Sequence, residues 1–166
     1  EIIIVDDCST DGTREIISNL GIDHVPIKIV CHTSNKGKTE AIKTALKHIA
    51  GEIVIIQDAD LEYDPEDYPN LIQPIKAGLF DVVYGSRVLG GFRGKYLRYY
   101  WGGWFINFIT NLLYRANITD ESCGYKVFRS KVILDIPLKS SGFGFCAEIT
   151  AKLCKLGYKI YEVPIH

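Results

Sequence analysis

Short apolar runs rich in β-branched residues alternate with helix-period patterns three times between Glu1 and Tyr84. The runs are Glu1–Val5, Val25–Val30, Ile53–Asp58 and Asp81–Tyr84. Between them, Ile16, Ile17 and Leu20 fall on one helical side, with Ser9 or Asp11 as the expected cap and Gly21 as the stop. Ala41, Ile42, Ala45, Leu46 and Ile49 form a second stripe. Asp64-Pro65-Glu66-Asp67 has the residue types of a helix start: a cap, a first-turn proline, and acids at the positive end. This alternation predicts an α/β fold, a mostly parallel sheet with helices on both faces. Ligands bind such sheets beyond the carboxyl ends of the strands.

The residues at those ends are strongly charged. Asp6-Asp7 follows the first strand, Asp58, Asp60 and Glu62 follow the third, and Gly85-Ser86-Arg87 follows the fourth. All three groups are expected on one edge. In an extended chain Asp58, Asp60 and Glu62 lie on the same side. Crowded carboxylates repel, so a cation is expected among them, and oxygen donors suit Mg²⁺ or Mn²⁺. A solvated acidic loop is the plainer reading of an isolated Asp-x-Asp.

Charge is unevenly spread. Net charge is −1 over 166 residues, which argues against a dedicated nucleic-acid binder. From Val82 to Thr119 there is no acid, but Arg87, Arg93, Lys95, Arg98 and Arg115 occur. Without those five cations the rest of the chain stands at −6. A basic region in an acidic protein points to an anionic partner. The five cysteines include no Cys-x-x-Cys pair, which favours a reducing compartment over a disulfide framework or zinc site.

The same region breaks the alternation. Phe92 to Tyr114 holds both tryptophans among its aromatics. Its most apolar part, Trp101 to Leu113, contains Asn107 and Asn111 and is too short to span a bilayer. Two readings stand side by side: an amphipathic membrane-interface helix, or a core helix with one polar edge. Beyond it, Tyr125–Phe128 and Lys159–Val163 read as strands, with helices near Lys131–Leu134 and over Phe145–Leu156.

The motifs occur in a telling order. Val5-Asp6-Asp7-x-Ser9-x-Asp11-Gly12-Thr13 comes first, then Asn35-x-Gly37-Lys38, Asp58-Ala59-Asp60-Leu61 and Gly85-Ser86-Arg87. Cys123-Gly124-Tyr125-Lys126-x-Phe128 and Glu162-Val163-Pro164-Ile165 complete the set. Together they resemble family 2 glycosyltransferases, and within them the polyprenyl-phosphate (dolichol-phosphate) mannosyl- and glucosyltransferase branch. The resemblance implies a GT-A, Rossmann-like fold over residues 1–166 as a single domain. It also implies that the family's first strand and its C-terminal segment lie outside the chain.

The resemblance further implies inverting transfer from a nucleotide sugar, a GDP- or UDP-hexose, on the cytoplasmic side of a membrane. Asp6 and Asp7 would contact the nucleotide, with helix capping as the alternative, and Lys38 would lie near it. Asp58 and Asp60 match the metal motif; Glu62 stands where relatives often have Gln. For a polyprenyl phosphate acceptor, already ionised, no general base is needed. Arg87 would then hold the phosphate, with Arg93, Lys95 and Arg98 as further cations that could equally be solvated. A hydroxyl acceptor would need a carboxylate base; Asp120 stands where relatives place an acid, and Glu148 is a weaker second. A non-catalytic nucleotide-sugar-binding or membrane-docking module is the alternative of a different class.

Overall fold

The computed structural model describes residues 1–21, 23–91 and 97–166, the stretch 97–101 by its backbone alone. The chain divides into two compact units, 1–51 with 137–145, and 52–136 with 146–166.

The first unit holds β1 (Ile2–Asp6), α1 (Thr13–Ser18), β2 (Ile27–Cys31) and α2 (Lys38–Leu46). The strands pair in parallel, from Ile2 opposite Ile27 to Asp6 opposite Cys31. Neither Ser9 nor Asp11 caps α1. Its N-cap is Gly12, at φ 88°, and the helix ends at Ser18, short of Gly21. Asp11 instead closes a local turn, accepting the Thr13 N–H at 3.1 Å and its hydroxyl at 2.6 Å. The expected apolar side of α1 is not buried: Ile16 is 69% exposed. Segment 137–145 lies over the start of α2, where the Gly142 carbonyl accepts the Thr39 N–H and hydroxyl, both at 2.9 Å.

The second unit holds β3 (Ile53–Ile56), a 3₁₀ turn (Pro65–Asp67), α3 (Tyr68–Lys76), β4 (Val82–Ser86) and α4 (Leu97–Tyr114). After these come β5 (Lys126–Arg129), α5 (Ser130–Asp135), most of α6 (Phe145–Lys155) and β6 (Ile160–Pro164). As expected, Asp64 caps the 3₁₀ turn through the Glu66 N–H at 2.9 Å. The sheet order is β3-β5-β4-β6. β5 runs antiparallel to both neighbours, whereas β4 and β6 are parallel. Three strands thus share one direction and a single strand opposes them. Simple alternation does not reveal this insertion, which separates β3 from β4.

The inserted strand decides what meets at the sheet edge. Ile56 and Tyr84 both lie opposite Lys126, so β5 starts where β3 and β4 finish. The residues before β5 therefore join those that follow β3 and β4. Helices cover both faces, because alternate strand residues point oppositely. Val83, Tyr125 and Val127 pack with Leu71 and Ile75 of α3. Tyr84 points the other way, its hydroxyl 3.1 Å from Thr150 of α6. Burial of each such aliphatic side chain contributes about 1.5–3 kcal/mol.

Candidate active site

In the second unit the site begins at the end of β3. Gln57 is held on both sides: its amide donates to the Asp58 carbonyl at 2.7 Å and accepts the Tyr68 hydroxyl at 2.8 Å. The chain then bends rather than staying extended. Asp60 accepts the Glu62 N–H at 3.1 Å, a tight Asx turn. This corrects the expectation that Asp58, Asp60 and Glu62 line one side. Among the described residues, no three His, Cys, Asp or Glu side chains converge as a metal cage.

Asp58 is tied closely to the segment before β5. A Cβ on Gly124 would stand 2.4 Å from Asp58 Oδ2 and 2.9 Å from Tyr63 Cε2. The Gly124 N–H donates to the Tyr63 hydroxyl at 2.8 Å. Tyr63 is buried, its ring tilted at 35° against Tyr125 with centroids 4.8 Å apart and facing the Arg87 guanidinium at 5.9 Å. Glycine at 124 thus lets the carboxylate approach the backbone, and any side chain there would displace it or the Tyr63 ring.

Arg87, just after β4, forks onto Asp120. Nε donates to Oδ2 at 2.8 Å, Nη2 to Oδ1 at 2.9 Å, and the Arg87 backbone N–H to Oδ2 at 3.1 Å. Nη2 also reaches the Ser122 hydroxyl at 3.3 Å. Burial pushes the Asp120 carboxyl up, but the hydrogen bonds and charge of Arg87 outweigh it and hold the group below its ordinary value. The same hydrogen bonds raise the Arg87 guanidinium. Burial lifts the Cys123 thiol to about 11, so it is no thiolate.

The segment carrying Asp120 is held from β6. Glu162 accepts the Thr119 N–H at 2.8 Å, its hydroxyl at 2.9 Å and the Asp120 N–H at 3.0 Å. Lys126 is fully buried; its ammonium donates to the carbonyls of Glu121 at 2.7 Å and Cys123 at 2.9 Å and lies 3.9 Å above the Tyr84 ring. Glu121 is buried beside it, its Oε1 without a hydrogen-bond partner among the described residues, and burial raises its carboxyl despite the nearby Lys126 charge.

In the first unit Asp6 is buried and spent within the protein. Oδ1 accepts the Ser9 N–H at 3.1 Å, and Oδ2 accepts Arg14 Nε and Nη2 at 2.8 and 2.6 Å. Hydrogen bonds from Ser9 and Arg14 hold it low. This role corrects the expectation that Asp6 faces a nucleotide. Asp7 keeps a partly exposed edge while organising the loop before α2. It bonds His32 Nδ1 at 2.6 Å and accepts the N–H groups of Lys36 and Gly37 at 2.9 and 2.6 Å. Burial raises it, and these partners more than offset that. Lys38 begins α2.

The structure thus joins Asp58, Arg87 and Asp120 at one edge, with Asp60 and Glu62 on the adjoining exposed turn. Arg93 and Lys95 lie outside the described residues, and Arg98 falls where α4 is described by backbone alone. Glu148 pairs with Lys152 one helical turn on. Sequence reasoning gave no role to Gln57, Tyr63, Glu162 or Asn107. Glu162 stood inside a quoted motif, and Asn107 was visible as a polar residue in an apolar helix.

Comparison with known proteins accords with this geometry. Residues 1–136 match the model of glycosyl transferase family 2. The dolichol-phosphate mannosyltransferase of Pyrococcus furiosus is 33% identical over 170 residues, covering 99% of this chain and 47% of that protein. The undecaprenyl-phosphate mannosyltransferase of Micrococcus luteus is 27% identical over 184 residues, covering 99% of this chain and 70% of its own. The chain thus spans about half the length of the first. A solved glucosyl-3-phosphoglycerate synthase of Mycobacterium tuberculosis, in complex with Mn²⁺, UDP and phosphoglyceric acid, superposes with a TM-score of 0.71 at 21% identity. That match covers 99% of this chain and 57% of that one and shows the shared GT-A architecture. With the match covering most of its length, and an Asp-Ala-Asp turn and a basic strand end meeting at one sheet edge, the chain belongs to glycosyl transferase family 2.

Proposed function

We propose that this domain transfers a hexose, with inversion, from a GDP- or UDP-sugar to a polyprenyl phosphate at a membrane surface. The observation that carries the acceptor class is the Arg87–Asp120 fork. A carboxylate held below its ordinary value by a bidentate arginine is a weak proton acceptor. A phosphate oxygen already ionised near neutral pH needs no such base, whereas a hydroxyl acceptor does. The names of the two mannosyltransferase relatives point the same way.

Roles follow from position. Asp58 and Asp60 would hold Mg²⁺ or Mn²⁺, and Glu62 shapes the turn by giving its N–H to Asp60. The donor set fits: oxygen ligands alone, and a carboxylate brought against the backbone where a side chain on Gly124 would displace it. One or two protein carboxylates suffice when substrate phosphates supply the other ligands, which the M. tuberculosis complex with Mn²⁺ and UDP supports. When bound, the ion would neutralise charge developing on the nucleoside diphosphate. Asp7 and Lys38 would serve the nucleotide.

Arg87 would meet the acceptor phosphate. Among the described residues its Nε and Nη2 serve Asp120 and Ser122, and Nη1 is the edge left to face a ligand. Arg93 and Arg98 remain the further candidates for the acceptor phosphate. The membrane reading rests on α4, where Trp104, Phe105, Phe108, Leu112 and Leu113 are each about half exposed or more. Among the described residues no helix is long and apolar enough to cross a membrane.

Asp120→Asn in the intact enzyme tests the acceptor class. The neutral side chain keeps an oxygen for Arg87, so turnover with polyprenyl phosphate should stay within about tenfold. A loss of about a hundredfold or more, the effect of removing a general base, would favour a hydroxyl acceptor.

A further inference from the structure

We propose that Asn107 is a positioning residue for this transfer, clamping from α4 the backbone on both sides of Asp120. The inference rests on the proposed role of Arg87 and extends it to a helix outside the motif set. Asn107 Nδ2 donates to the Thr119 carbonyl, and its Oδ1 accepts the Glu121 N–H at 2.9 Å. One amide thus bridges the residues before and after Asp120. One turn later Asn111 repeats the pattern on Ile118, donating to its carbonyl and accepting its N–H, both at 2.8 Å.

The segment these side chains hold has no ladder of its own. Yet every backbone polar group from Ile118 to Glu121 has a partner. Glu162 takes the N–H groups of Thr119 and Asp120. The Asp120 carbonyl accepts the Cys123 N–H at 3.2 Å, and the Glu121 carbonyl accepts Lys126. Buried backbone groups must be paired, but here, apart from the Asp120 carbonyl, side chains from three separate elements do it, which fixes the segment's position as well as its solvation.

Asparagine is a poor choice for the middle of an apolar helix on propensity alone. Two of them at i and i+4, both reaching the same loop, are accounted for by what they hold. Asp120 in turn aligns the Arg87 fork, and displacement of a substrate-binding group by about 1 Å costs about a hundredfold in rate. α4 thereby carries both the exposed apolar side chains and the bonds that set the acceptor cation.

The test uses the intact enzyme with Asn107→Leu, which removes both bonds, and Asn107→Asp, which keeps the acceptor for the Glu121 N–H and loses the donor to the Thr119 carbonyl. Hydrogen exchange without substrate should speed up at the Glu121 amide by about tenfold in Asn107→Leu. With polyprenyl phosphate in phosphatidylcholine–phosphatidylglycerol vesicles, kcat should fall about tenfold while the donor KM stays within about threefold. Asn107→Asp should leave Glu121 exchange nearer to the parent's than Asn107→Leu does. Unchanged exchange at Glu121, or an unchanged kcat, overturns the clamp. If the unaltered enzyme makes no lipid-linked product, the acceptor reading falls by itself. The exchange arm then judges the clamp alone: faster Glu121 exchange sustains it, and equal exchange ends it.

Discussion

Gly124 and Asp58 are so close that a Cβ on the glycine would stand 2.4 Å from Asp58 Oδ2. Gly124→Ala must therefore push the carboxylate away or shift the segment before β5. Overpacking of this kind costs about 1–3 kcal/mol. The expected signature is a kcat reduced about tenfold or more, with a higher Mn²⁺ concentration needed for half-maximal rate. Kinetics of the intact enzyme at graded Mn²⁺ would show it; unchanged metal dependence would mean that Asp58 does not hold the ion.

Arg87→Lys keeps the charge and loses the fork. Asp120 would remain buried with a poorer partner, at a cost of about 1–3 kcal/mol once the partial exposure of Arg87 is discounted. The pH dependence has a definite sign. The folded-state carboxyl lies below its ordinary value of 3.8, so the pair stabilises fully above that value and loses its contribution as pH falls through the lower folded value. Urea midpoints of Arg87→Lys and the parent should differ most near neutral pH, and the gap should shrink as pH falls below 3.8. A constant gap would show that the pair is not the cause.

Lys126→Met keeps the volume and removes the ammonium from the carbonyls of Glu121 and Cys123. Two buried acceptors lose their donor, which should cost about 3 kcal/mol. Denaturant unfolding measures this directly, and a variant as stable as the parent would show that those carbonyls find other donors.

Gly37 sits at φ 86°, and a Cβ there would lie 2.6 Å from Gly142 Cα. Gly37→Ala should destabilise by about 2 kcal/mol or more. Because the Gly37 N–H is bonded to Asp7 at 2.6 Å, nucleotide affinity should fall with it. Calorimetric titration with GDP and UDP checks this. Parent-like affinity for both would take Asp7 out of the nucleotide site.

Element order and the Asp58, Asp60 and Arg87 positions were legible in the sequence because strand period and strand-end charge are local signals. β5 was legible as a strand but not as the opposing one between β3 and β4, since pairing direction leaves no mark in residue period. Glu162 and Asn107 act on the backbone of a distant segment, and side-chain-to-backbone bonds do not depend on the identity of the residue held. Asp6 looked like a ligand group because a carboxylate at a strand end reads the same whether solvent or Arg14 meets it. The three-carboxylate side failed because the Asp60–Glu62 turn is set by one local hydrogen bond that an extended-chain reading ignores.

The most direct measurement of the proposed activity is transfer of labelled sugar into the organic phase. Intact enzyme would be incubated with labelled GDP- or UDP-hexoses and polyprenyl phosphate in vesicles, with Mg²⁺ or Mn²⁺ and with chelator. The expected result is an acid-labile lipid-linked sugar that forms only with metal and is lost in Asp60→Ala. Label that stays in the aqueous phase for every donor, or turnover that survives both chelator and Asp60→Ala, would contradict metal-dependent transfer to a polyprenyl phosphate.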